Sequence, residues 1–132
     1  MDGIGIAAGL HHPASWQAGW ALVLAGFLSG AAVGLGFHRE AFLGGYASFR
    51  RRLLRLGHVA LVALGVLNLL FALSPSPAAG SRLAELGGAA FLAGGVLMPA
   101  VCFLAAWRPA WRHLFFLPVL CLTTGVVTVL WG

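Results

Sequence analysis

Lysine is absent from this chain, and only three acidic residues, Asp2, Glu40 and Glu85, accompany its eight arginines across 132 positions. Charged residues make up 8% of the sequence, against about 25% in ordinary soluble domains. A soluble globular domain is excluded on that ground. Cysteine is scarce as well: Cys102 and Cys121 stand alone, without CxxC spacing, and imply no disulfide framework or zinc ribbon. No phosphate-binding loop, dinucleotide glycine pattern, or Ser or Cys nucleophile with a legible base is present, so no enzymatic activity is expected. The net charge of +5 is concentrated in arginine clusters that membrane topology and anionic lipid account for, so nucleic acid is not an expected partner.

What the chain has in quantity is hydrophobic residues, 61% of the total, with a mean hydropathy of +0.96. The few charges are grouped: Arg39, Glu40, Arg50, Arg51, Arg52 and Arg55; then Arg82 and Glu85; then Arg108 and Arg112. Between Asp2 and these groups lie uncharged stretches at 3–38, 56–81, 86–107 and 113–132. A spanning helix needs about 20 mostly apolar residues, so each stretch holds one span and none holds two. The expected architecture is an all-α integral membrane protein, a single domain over 1–132 with four transmembrane helices in an up-down-up-down bundle. The spans are placed at 16–37, 53–73, 83–107 and 112–131. Long runs without alternation exclude a transmembrane barrel.

Short loops rich in arginine stay on the cytoplasmic side. The first and third loops carry most of the arginines, so both termini are expected on the periplasmic or exterior face, as in a bacterial-type inner-membrane protein. Trp16, Trp20, Trp107, Trp111 and Trp131 fall near span ends, where amphipathic rings favour the headgroup level. The segment before Trp16 lacks a basic region and reads as retained. Two hairpins that run in the same sense, each with a basic turn, do not make an inverted-repeat transporter.

Gly26, Gly30 and Gly34 recur at four-residue steps and form a ridge along span one that lets another helix approach closely, in the chain's own bundle or in a separate subunit. Gly87, Gly88, Gly94 and Gly95 offer a second such surface on span three. Pro99 and Pro118 are candidates for kinks. His58, Gly65 and Asn68 share one face of span two, and His113, Cys121, Thr124 and Thr128 one face of span four.

His38, His58 and His113 all map toward the arginine-rich side. Two readings follow: hydrogen bonding and packing, with His58 bonded to a carbonyl or to Glu40 and with Asn68 joining helices, or axial ligation of a b-type haem or contact with a quinone. A metal site built from the three histidines and Glu40 ranks lower, because the spacing lacks close pairing. Arg50, Arg51, Arg52 and Arg55 are candidates for docking a cytoplasmic partner or lipid headgroups, or serve as a topology anchor, and Ser48 is placed to cap a helix beginning near Phe49. The leading expectation is a small accessory or anchoring subunit of a larger membrane complex. A haem or quinone electron carrier comes second and a small channel or transporter third.

Overall fold

The computed structural model describes residues 12–74 and 81–131. Four α-helices dominate: α1, Pro13–Phe37; α2, Phe49–Leu73; α3, Arg82–Trp107; and α4, Phe116–Trp131. Two 3-10 segments, Phe42–Gly44 and Pro109–Phe115, lie in the connections, and no strand is present among the described residues. The molecule is an all-α four-helix bundle whose helices are long and apolar enough to cross a membrane. The expected kind and number of elements are therefore present. The readings of the segment before His12 and of the loop at 75–80 lie outside the described residues.

Local signals explain where each helix starts. Pro13 opens α1, a position where a missing N–H costs nothing. Ser48 caps α2 by accepting the Arg51 N–H at 3.2 Å, and Ser81 caps α3 in the same way through the Ala84 N–H. The cap at Ser48 is the one the sequence suggests. It starts α2 at Phe49, four residues ahead of the apolar run, so Arg50, Arg51 and Arg52 are helical.

The fourth span departs most from expectation. The chain winds as a 3-10 helix from Pro109 and becomes α-helical only at Phe116. Pro118 sits in the first α-helical turn, has no N–H to offer the Leu114 carbonyl, and marks the change of winding. A 3-10 helix rises about 2.0 Å per residue against about 1.5 Å for an α-helix. The 7 tight residues and 16 α-helical ones therefore rise about 38 Å together, the same as a 25-residue α-helix. Tighter winding gives the shortest helix the reach of its neighbours. Pro99 lies inside α3, which continues through it without interruption.

Successive helices pack on one another, α1 on α2, α2 on α3 and α3 on α4; α1 also touches α3, while α1 and α4 share no extensive contact. Among the described residues the bundle is thus open along one side, with α3 the most buried helix and α1 and α4 the least. At the end that carries the arginines, Leu53 and Leu54 of α2 pack against Ala105 and Ala106 of α3, and Val33, Phe37, Leu43, Phe103 and Phe115 close around them. At the other end, the His12 ring stacks on Phe71 at 4.3 Å and Phe71 meets Phe91 at 4.9 Å, tying the start of α1 to α2 and α3.

Candidate functional site: the polar and small-residue seams

Four seams hold most of the polar and small residues singled out in the sequence, and Gly34, His38 and His113 lie outside them. In the first, α1 meets α2. His58 Nδ1 lies 2.8 Å from the Gly26 carbonyl oxygen. A carbonyl only accepts, so Nδ1 carries the proton and donates, which leaves the lone pair of the neutral ring on Nε2. The ring rests on Gly30, where a Cβ would overlap its atoms, and a Cβ at Gly26 would meet Val62. Higher on the same seam, Gly65 of α2 lies against the Gly19 carbonyl and Val23 of α1.

The ridge ends sooner than its spacing implies. A Cβ on Gly34 would meet nothing within 4 Å, and the residue is exposed. Gly26 and Gly30 are packing positions and Gly34 is not: at this level Val33 and Phe37 are the α1 residues that pack on the α2 core, and Gly34 is turned away from it. Nor does His38 extend the ridge inward, since it caps the end of α1 in the open.

The second and third seams are the two sides of α3. Its glycines come as Gly87-Gly88 and Gly94-Gly95, seven residues apart, so each pair repeats after nearly two turns. The first member of each pair faces α4: Gly87 lies against Thr128 and Gly94 against Leu122. The second member faces α2: Gly88 lies against Phe71, and Gly95 makes room for the Asn68 amide. One helix therefore offers a smooth surface to both neighbours, about 100° apart around its axis.

Asn68 is fully buried. Its Nδ2 donates to the Leu64 carbonyl at 2.9 Å within α2 and to the Phe91 carbonyl of α3 at 3.2 Å, while Oδ1 has no donor among the described residues. Thr128 is buried too, and its hydroxyl donates to the Gly125 carbonyl of its own helix at 2.7 Å. Ser29 donates likewise to the Gly26 carbonyl at 3.0 Å.

The fourth seam is the connection between α1 and α2. Arg51 is 3% exposed. Its guanidinium donates to the carbonyls of Phe42 at 2.6 Å, Glu40 at 2.9 Å and Arg39, and it lies 4.8 Å from the centre of the Phe37 ring. One side chain thus organises residues 39–42 from inside. Past them the backbone takes positive φ at Leu43, Gly44 and Gly45 to complete the turn. Arg55 donates to the Tyr46 carbonyl at 3.3 Å and lies over the Tyr46 ring. Arg50 and Arg52 are exposed. The four arginines grouped together in the sequence are of two kinds, structural and free.

The histidines are not gathered. His58 is partly buried at the α1–α2 seam, whereas His38 and His113 are exposed at the ends of α1 and within the 3-10 segment before α4. Among the described residues no group of three His, Cys, Asp or Glu side chains is close enough to hold a metal ion, so the three histidines and Glu40 form no such cluster. Cavities lined by described residues include one of about 260 Å³ near Phe71, Phe91 and Val129 and another of about 440 Å³ near Ser48, Arg50 and Pro109, and no histidine lines either. No family model, curated protein or solved structure matches the chain.

The seam contacts missed in the sequence are those of Gly19 and Gly125, the latter lying under the Phe91 ring. Nothing in the sequence distinguishes Gly19 or Gly125 from the other glycines of their helices.

Proposed function

We propose that this chain is a small membrane-embedded subunit without catalysis of its own, an accessory or anchoring component of a larger membrane complex. The observation that carries the reading is how the polar groups inside the helices are used. His58, Asn68, Thr128 and Ser29 all bond to carbonyls of this chain's own backbone. In a membrane the two that cross to another helix, His58 to Gly26 and Asn68 to Phe91, glue helices, each contributing on the order of 0.6 kcal/mol, while Thr128 and Ser29 bond back to their own helices. Side chains that would otherwise bind a solute or cofactor are thereby committed to holding the bundle together.

The glycines are committed in the same way, so association with other subunits does not use the Gly26 and Gly30 ridge. It uses the outer faces of α1 and α4, where Leu24, Phe27, Leu28, Val129 and Leu130 are exposed. The arginine-bearing connections lie on the cytoplasmic side of a bacterial-type inner membrane and both termini on the other side, in keeping with the arginine bias of the loops.

A second reading, a b-haem or quinone protein, is favoured by one observation. His58 donates through Nδ1 to a carbonyl, the arrangement that orients histidine ligands and leaves Nε2 for a metal. Gentle solubilisation from the native membrane, followed by oxidised and dithionite-reduced spectra, separates the two. A colourless chain that co-purifies with larger membrane proteins is the expected result. Reduced haem bands that disappear in His58→Ala would replace the subunit reading with the electron carrier, and migration as an isolated colourless chain would remove both.

A further inference from the structure

The end of the molecule that carries the arginines is built rather than loose. Arg51 fixes residues 39–42 from within, and the Leu53, Leu54, Ala105 and Ala106 core beneath holds the two connections side by side. Between them opens a cavity of about 440 Å³ lined by Leu43, Gly44, Ser48, Phe49, Arg50 and Pro109. One wall comes from the first connection and the start of α2, the other from the start of the 3-10 segment that leads to α4.

Charge here is one-sided. Arg39, Arg50, Arg52, Arg108 and Arg112 are exposed on these connections and the ends of their helices, against Glu40 as the one carboxylate. None of the five side chains makes a hydrogen bond or ion pair with another described residue. Exposed aromatic rings, Phe42, Tyr46, Phe49 and Trp111, stand among them, the composition of a surface at headgroup level.

We infer that the cavity between the two connections is a binding site for the headgroup of an anionic phospholipid, with Arg50 as its charged contact. A topology anchor requires arginines only on the correct side, wherever they point. Here one free arginine lines a preformed recess while its neighbour Arg52 lies outside it. The phosphate is met by the Arg50 guanidinium, with the Ser48 and Gly44 side of the recess below it, and the acyl chains run down past Phe49 into the bilayer. The proposal rests on the membrane placement of the four helices and not on the subunit reading.

The test measures competition between phosphatidylglycerol and phosphatidylcholine for the purified full chain by native mass spectrometry. An arginine near an anionic surface contributes about 1 kcal/mol, so loss of one weakens retention about fivefold. Arg50→Gln is expected to lose the preference for phosphatidylglycerol by about that factor. Arg52→Gln and, at the opposite end, Arg82→Gln are expected to keep it, with thermal midpoints of all three unchanged. Equal losses in Arg50→Gln and Arg52→Gln would show a diffuse field without a site and overturn the proposal, as would an absence of preference in the unaltered chain. Inorganic phosphate is the control for source. If it displaces the lipid at comparable concentration, the ligand is a soluble phosphate compound and the lipid assignment fails.

Discussion

The two hairpins of this protein solve one packing problem by different means. Both press a glycine of one helix against a polar side chain of the next, Gly30 against His58 in the first, Gly87 against Thr128 in the second. In the first the polar group reaches across: His58 bonds the facing helix, and the connection below is braced by three bonds from Arg51. In the second the Thr128 hydroxyl turns back to its own helix, and the 3-10 connection has no such brace. The first hairpin is specified by hydrogen bonds to particular carbonyls, the second by shape.

The largest effect that would break this contrast is expected at Arg51. Hydrogen bonds from a charged donor contribute about 1.5–3 kcal/mol each, but water can replace part of that at the membrane surface. Arg51→Ala should therefore destabilise the first hairpin by about 3 kcal/mol, with cleavage by added protease rising at 38–48 and not at 108–115. Equal susceptibility of the two connections would mean that Arg51 is no brace.

Next comes Gly30→Leu, which forces a side chain into the His58 ring; overpacking of this kind costs about 1–3 kcal/mol. Detergent unfolding should report that loss, while Gly34→Leu, four residues further along the same helix, should change stability by less than about 0.5 kcal/mol. Similar losses at both positions would restore the longer ridge. A smaller effect separates the polar groups themselves. His58→Ala should lower stability by about 1 kcal/mol, between the mean and the upper range for hydrogen bonds joining helices within membranes. Thr128→Val keeps the shape and loses only a bond within one helix, so its midpoint should stay within about 0.5 kcal/mol of the parent. If Thr128→Val costs as much as His58→Ala, the second hairpin also depends on hydrogen bonding.

The grouping of eleven charges was enough to place four helices, because ionised side chains stay out of hydrocarbon whatever the tertiary structure. The Ser48 cap was legible for a similarly local reason. The roles within the arginine cluster were not. Arg50, Arg51 and Arg52 are interchangeable as letters, but each helical residue turns about 100° from the last, and only Arg51 points under the loop that precedes it. The reach of the Gly26, Gly30 and Gly34 ridge was illegible too, since spacing reports a face and not which turns of it a neighbour fills. His58 could be assigned a face and a depth, whereas its acceptor, a backbone carbonyl 32 residues away, has no signature in side-chain sequence. The tight winding ahead of α4 runs between Pro109, which opens it, and Pro118, in the first α-helical turn after it, and neither proline in the sequence signals more than a bend.

The open side of the bundle bears on how the chain comes to be folded. Among the described residues each later helix packs mainly on its neighbours in the chain, and no extensive contact must wait for α4 to return to α1. Chains rich in near-neighbour contacts avoid the entropic delay of closing long loops. During synthesis, every helix that leaves the ribosome finds the surface it needs already in the membrane, so the order of translation and the order of assembly can be one and the same.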